Sequence, residues 1–261
     1  MDFMKPETVL DLNNIRQALQ RMEDTIIFYF IERSQFFTCP SVYKKDVFPI
    51  PNFDGSFLDW LLSQHEKIQS QVRRYQAPDE YPFFLEIVQP SFLPKVNYPP
   101  VLASYADEIN INKNVLKVYV ENMVPGISSG SGDQMENLGS AAMADIDALQ
   151  SLSRRIHFGM FVAEAKFRNE TEKFTKLIKN KDIKGIDKAI TNTAVEEKIL
   201  KRLLEKAKTY GVDPTLKFTQ HIQNKVKPEV VVKIYKDYVI PLTKKVEIDY
   251  LMRRLEDGKT A

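Results

Sequence analysis

The chain has 261 residues, of which 43% are hydrophobic and 28% are charged, as in an ordinary globular protein that buries one large core. Its 37 basic and 35 acidic residues are interspersed and leave a net charge of +2, which excludes the concentrated basic surface of a non-specific nucleic-acid-binding protein. A single cysteine, Cys39, excludes an internal disulfide, and three widely separated histidines have no metal-ligand spacing.

Helical periodicity dominates the first half of the chain. From Thr8 to about Phe36, apolar residues recur at steps of three and four, which predicts one long amphipathic helix. A second helix is predicted from Ser56, a suitable N-cap, to about Tyr75. Nine of the 14 prolines fall within residues 40–100, so we expect an irregular, partly extended segment at 78–100. Helix is predicted again from about Asn114 to Met123.

The second half is also predicted to be helical. Residues 125–133 are rich in glycine and serine and predict a mobile linker. Ser140 is predicted to cap a long helix that runs to about Phe167. The remaining predicted helices span residues 170–180, 182–190, 192–210 and 228–256. No segment alternates long enough to predict a strand.

The predicted fold class is therefore all-α, a single-domain bundle over residues 1–261. We expect about ten to twelve helices, with long N-terminal, central and C-terminal ones. No run of about 18 apolar residues could cross a membrane, and the first residues lack a signal-peptide pattern. A cytoplasmic protein is expected.

Polar residues interrupt the apolar stripes of four predicted helices. Arg16 lies within the stripe of the first helix. Arg155 and Lys166 are eleven residues apart, which is about 20° beyond three full turns, so they share one face of the central helix. Gly159 lies between them and is expected to leave room. The remaining interruptions are two pairs, each one turn apart: Asn192 with Glu196, and Thr243 with Glu247.

Two interpretations of these polar residues remain open on spacing alone. Buried charges are costly unless they are partnered. The three cations and two carboxylates could form an internal salt-bridge network in a helical interaction protein. They could equally line a closed pocket for a small dianion inside a helical bundle.

The segments that carry these residues resemble the large, all-helical chorismate mutases of eukaryotes, and the fungal type in particular. The run L-Q-S-L-S-R-R-I-H-F-G, within residues 149–167, is similar to the central helix of that family. The run I-T-N-T-A-V-E-E-K-I-L at 190–200 is similar to its next active-site helix. Residues 240–260, which begin I-P-L-T-K, resemble its C-terminus, and residues 5–16 its start. The resemblance covers essentially the whole chain.

The resemblance implies an isomerase that converts chorismate to prephenate on the route to phenylalanine and tyrosine, with no cofactor, metal or covalent intermediate. Catalysis would then rest on positioning and electrostatics. The family's active-site residues correspond to the polar interruptions: Arg16, Arg155, Lys166, Asn192, Glu196, Thr243 and Glu247. A catalytically silent relative that acts as a regulatory or scaffold partner is the alternative.

The implied roles follow from the chemistry of each side chain. Arg16 and Arg155 suit the two substrate carboxylates, because a guanidinium gives bidentate hydrogen bonds. Glu196 would accept from the ring hydroxyl, with Lys166 nearby to keep it ionised. Lys166 would also donate to the ether oxygen from one side. Glu247 would donate from the other side, and so must be protonated; burial and nearby carboxylates would raise its pKa. The binding set is completed by Asn192 and Thr243.

The resemblance also implies a homodimer with a regulatory site at its interface, inhibited by tyrosine and, in the fungal type, activated by tryptophan. The matching positions are Arg73, Arg74, Asn137, Gly139 and Ser140. Free N–H groups at the start of the long helix would attract the carboxylate of such an effector. Two positions depart from the family pattern: Met143 and Lys227 each stand where threonine occurs.

Overall fold

The computed structural model describes residues 1–210, 212 and 225–256, and this part of the chain is helical without any strand. The predicted all-α class is confirmed. No helix within this part is long and apolar enough to cross a bilayer. Its α-helical segments are α1 Pro6–Val9, α2 Leu12–Arg33, α3 Phe57–Gln71, α4 Asn112–Val118, α5 Val124–Ile127, α6 Leu138–His157, α7 Gly159–Asn169, α8 Thr171–Lys179, α9 Ile183–Ile190, α10 Thr193–Tyr210, α11 Pro228–Ile234 and α12 Ile240–Met252.

Capping residues determine where the first helices begin. The carboxylate of Asp11 accepts the N–H groups of Asn13 and Asn14, so α2 begins after Asp11. Because α2 also ends at Arg33, the helix predicted over residues 8–36 is shorter at both ends. The predicted cap at Ser56 is confirmed, because Ser56 forms a reciprocal capping box with Asp59.

Two π-helical turns, Tyr119–Met123 and Tyr235–Val239, each lie directly before a helix whose second residue is proline. Pro125 and Pro241 have no N–H to donate to the carbonyl four residues earlier. The wider π turn lets the helix continue past this missing bond. The last predicted helix is therefore α11, a π turn and α12 in sequence.

The connection at residues 125–133, for which the composition predicts a mobile linker, is hydrogen-bonded to the segment that follows α2. Residues 124–127 are helical. Beyond them, the carbonyls of Gly130 and Gly132 accept the N–H groups of Thr38 and Cys39, at 3.0 and 2.9 Å. A Cβ on Gly130 would lie 2.6 Å from the ring of Phe37, so this contact requires glycine.

The predicted central helix is two helices, α6 and α7, which meet at a turn at Phe158. α6 begins at Leu138, three residues earlier than a cap at Ser140 predicts, so Asn137 and not Ser140 occupies the N-cap position. α6 packs on α2, and α12 packs on both α7 and α6. Arg33 on α2 and Asp145 on α6, both fully buried, form an ion pair of 2.6 Å across this core.

Candidate active site

The crossing of α12 over the start of α7 forms the site, and Gly159 allows it. A Cβ on Gly159 would lie 3.0 Å from both the Cγ2 and the carbonyl oxygen of Thr243, and 3.3 Å from Cγ of Glu247. The room that Gly159 was expected to leave is therefore filled by α12. This close approach brings Thr243 and Glu247 beside Arg155 and Lys166.

Arg155 is buried at this crossing, and the protein provides acceptors for only some of its hydrogen-bond donors. Its side chain is 4% exposed. The Nη1 group donates a long hydrogen bond of 3.4 Å to Oγ1 of Thr243, whose own hydroxyl donates to the carbonyl of Val239 at 2.7 Å. The Nε group of Arg155 is buried with no hydrogen-bond partner among the described residues. An unpartnered buried donor is rare and usually marks a place for a ligand or water.

Lys166 and Glu247 are paired at the same crossing. The Nζ group of Lys166 donates to Oε2 of Glu247 at 3.1 Å and to the carbonyl of Ile190 at 2.7 Å. Burial raises the pKa of Glu247, and the nearby cations Lys166, Arg155 and Lys244 oppose that rise without cancelling it. Burial is thus the main cause of the predicted upward shift, and the strongest charged neighbours are cations rather than carboxylates.

Glu196 is paired with a cation that the sequence reasoning missed. Its carboxylate lies 2.8 Å from Nζ of Lys244 on α12, and both side chains are about one quarter exposed. The expected neighbour, Lys166, is instead held by Glu247 and Ile190. Lys244 could have been found by its spacing, because a residue three positions before Glu247 shares its side of a helix.

Arg16 and Asn192 are exposed and make local contacts outside this cluster. Arg16 on α2 donates to the side-chain oxygen of Asn13 at 3.2 Å, while its neighbour Ile15 is buried against α7. Asn192 precedes α10, and its side-chain oxygen caps that helix by accepting the N–H of Val195 at 3.1 Å. No described contact joins either residue to Arg155, Lys166 or Glu247. No group of three or more possible metal-ligating side chains occurs among the described residues.

Comparisons with known proteins identify the family of this chain. Residues 139–248 match the family described as chorismate mutase type II. Over 98% of its length, the chain is 74% identical to a chorismate mutase of Pichia angusta, 92% of which is covered. It is 59% identical to the chorismate mutase of Saccharomyces cerevisiae, with 98% of this chain and 100% of that relative covered. The chain belongs to the chorismate mutase family. The predicted family and enzyme class are thus confirmed.

Solved chorismate mutases share the fold over nearly their whole length. The Aro7p chorismate mutase of Candida albicans, in complex with L-Trp, is 63% identical, with a TM-score of 0.97 over 100% of this chain and 97% of that one. AtCM1, with tyrosine bound in its allosteric site, is 38% identical, with a TM-score of 0.84 over 94% and 96% of the two chains.

The residues predicted to bind effectors fall into two groups that lie apart in one chain. Arg74 contacts Gln150 on α6, with a donor–acceptor distance of 2.8 Å, and Arg73 donates to the carbonyl of Pro94 at 2.6 Å. Gln150 is ten residues beyond Ser140, which is about 15 Å along a helix. The second group, at the start of α6, is Asn137, Gly139 and Ser140, and Asn137 makes no side-chain cap.

Proposed function

We propose that this chain rearranges chorismate to prephenate in a pocket lined by Arg155, Lys166, Thr243 and Glu247. The observation that supports this most strongly is the unpartnered Nε group of Arg155, buried beside a second cation. An unsatisfied buried donor is costly, and a carboxylate can accept from Nε and Nη2 together. A dianionic substrate would provide that acceptor.

Substrate binding would complete the pocket with side chains that now face solvent. Arg16, on the part of α2 that packs against α7, would turn to the second carboxylate. Asn192, next to the Ile190–Thr191 segment that borders Lys166, would add a donor from its side-chain NH₂ group. Thr243 would remain beside Arg155 and help to orient its guanidinium.

Lys166 and a protonated Glu247 would flank the ether oxygen, whose bond to carbon breaks as the new carbon–carbon bond forms. Their present 3.1 Å contact would be replaced by two donors to that oxygen, which stabilise the negative charge that develops on it. Glu196, paired with Lys244, would accept from the ring hydroxyl. These steps need only positioning and hydrogen bonds.

The role of Glu247 is tested by the pH dependence of turnover in Glu247→Gln. A carboxyl group with a raised pKa keeps its proton to higher pH, so wild-type activity should fall as pH rises through that pKa. Glutamine is a permanent donor, so the variant should lose this fall. Asp249→Asn, which removes a half-exposed carboxylate from the same helix, is the control and should keep the wild-type profile. A fall that persists in Glu247→Gln would exclude Glu247 as the titrating donor.

The alternative, a silent helical relative whose polar stripes are only salt bridges, makes a different prediction. A dicarboxylic transition-state analogue should raise the melting temperature of a protein that has the pocket, because it binds only the folded state. A bundle without a pocket should show no such rise and no turnover.

We further propose a cytoplasmic homodimer of single-domain chains, regulated by tyrosine and tryptophan. The two effector groups lie too far apart in one chain to hold one amino acid, so a second copy would have to join Arg73 and Arg74 to the start of α6. Four exposed apolar side chains support a covered surface there: Ile68, Val72, Met135 and Met143. A Cβ on Gly139 would meet nothing within 4 Å, so the helix start is open to an effector carboxylate.

A further inference from the structure

The site-facing stripe of α12 continues beyond the pocket. Thr243, Glu247 and Tyr250 are spaced by four and three residues, so they lie on one face of the helix. The first two border the pocket, whereas Tyr250 is fully buried against α7. Arg254 follows in the turn after α12 and is also buried. These last two residues contact a carboxylate that has no part in the reaction described above.

That carboxylate belongs to Glu164 on α7, which is fully buried two residues before Lys166. Its Oε2 atom accepts from the hydroxyl of Tyr250 and from Nε of Arg254, both at 2.7 Å. Its Oε1 atom accepts from Nη2 of Arg254 at 3.0 Å and from Nε of Arg168 at 2.7 Å. We call Glu164, Tyr250 and Arg254 the α12 latch.

The pKa values of the latch carboxylate and of Glu247 shift in opposite directions although both groups are buried. Burial would raise the pKa of Glu164, but the hydrogen bonds from Arg254, Tyr250 and Arg168 outweigh it and lower that pKa. Glu164 is therefore an ionised anchor. Burial prevails at Glu247, whose pKa is raised.

The other contacts of Tyr250 fix the same end of α12 to the segment before α4. The hydroxyl of Tyr250 accepts the N–H of Ala103 at 2.9 Å, and its carbonyl accepts the hydroxyl of Tyr105 at 2.7 Å. The guanidinium of Arg254 also lies 4.6 Å from the ring centre of Phe167 on α7. A slide of α12 along α7 would break several of these contacts together.

We propose that the α12 latch is a positioning device for the reaction: it sets the register of α12 on α7 and thereby holds the Glu247 carboxyl group buried beside Lys166. A slide of one residue is about 1.5 Å, enough to break a 3.1 Å hydrogen bond and admit water. The latch residues do not touch the pocket and act through Glu247, so this inference rests on the role proposed above for Glu247.

The charged groups that face Glu247 come from three helices. They are Lys166 on α7, Arg155 on α6 and Lys244 on α12 itself, and Lys244 is also paired with Glu196 on α10. The latch alters none of these charges. Its loss would act by letting water reach Glu247, which favours the ionised carboxylate and moves the alkaline fall in activity to lower pH.

The test compares Tyr250→Phe with Tyr119→Phe. Both tyrosines are fully buried and donate at 2.7 Å to a fully buried carboxylate, that of Glu164 or that of Asp145, so both variants lose such a bond. Tyr250→Phe also removes the acceptor of the Ala103 N–H. Thermal unfolding and the pH profile of kcat/KM are measured for each. Both should unfold at lower temperature, but only Tyr250→Phe should move the alkaline fall to lower pH, with kcat lowered by about tenfold or more.

A Tyr250→Phe profile that coincides with that of the wild type would overturn the proposal and leave the latch a purely structural contact. If Tyr250→Phe does not fold, Arg254→Lys against Arg253→Lys makes the same comparison, because Arg253 binds Glu108 and Glu256 and not α7. Making Tyr250→Phe in a Glu247→Gln protein separates the latch proposal from the role proposed for Glu247. The Glu247→Gln background should abolish any shift caused by Tyr250→Phe, whereas an unchanged fall in Glu247→Gln alone would reject only the role of Glu247.

Discussion

Replacement of Gly159 by alanine tests the crossing on which the pocket depends. The new Cβ would lie 3.0 Å from two atoms of Thr243, whereas carbon atoms pack best at about 3.5–4.0 Å. One contact is to backbone, so α12 itself must move by roughly 0.5–1 Å. That movement displaces both Thr243 and Glu247 from Arg155 and Lys166.

The expected stability loss is small, and the expected activity loss is large. Overpacking costs about 1–3 kcal/mol, and alanine in a helix recovers up to about 1 kcal/mol relative to glycine. Gly159→Ala should therefore lose about 0–2 kcal/mol of unfolding free energy. A displacement of about 1 Å can lower the rate of a positioned reaction by up to about 100-fold, so kcat/KM should fall by roughly 10- to 100-fold.

The assays are urea unfolding and the loss of chorismate absorbance. Gly139→Ala is the control for stability, because its Cβ would meet nothing within 4 Å, and it should be as stable as the wild type or slightly more stable. The reasoning is refuted if Gly159→Ala gains stability as the control does and keeps kcat/KM within about twofold of wild type.

Two further predictions concern the core and the effector site. Asp145→Asn should lower the unfolding free energy, measured by urea unfolding, by about 3–5 kcal/mol, because it leaves Arg33 as a buried cation without its carboxylate. The exposed-pair variant Glu205→Gln should change it by less than about 1 kcal/mol, and an equal loss in both would contradict this account. Tyrosine should slow prephenate formation and tryptophan should speed it. Arg74→Ala should weaken both responses, whereas the control Lys113→Ala, at an exposed lysine, should not. Responses that persist unchanged in Arg74→Ala would place the effectors elsewhere.

Helical spacing was sufficient to identify the polar residues that meet where α12 crosses α7. Arg155 and Lys166 share a face because their spacing is close to three turns, and the turn at Phe158 does not separate them. Thr243 and Glu247 share a face because four residues make about one turn. Each spacing is counted along the sequence alone, so no knowledge of the packing was required to find these residues.

Pairings between helices could not be predicted in this way. Spacing gives the direction of a side chain around its own helix, but not the helix that it meets. Lys166 was therefore the expected partner of Glu196, whereas the structure pairs Glu196 with Lys244 on α12. The turn at Phe158 and the two π turns were missed because the apolar stripes continue through them.

The two arginines of the proposed site show what a sequence leaves undecided. Either guanidinium suits a carboxylate, but Arg155 is ordered when the chain folds, because α12 crosses at Gly159 and buries it. Arg16 is solvated on the surface and would lose side-chain freedom only when substrate binds. The cost of preparing Arg155 is thus part of the folding free energy, and that of Arg16 part of the binding free energy. Whether the cost of ordering an arginine falls on folding or on binding depends on its burial, and burial is a property of the packed helices.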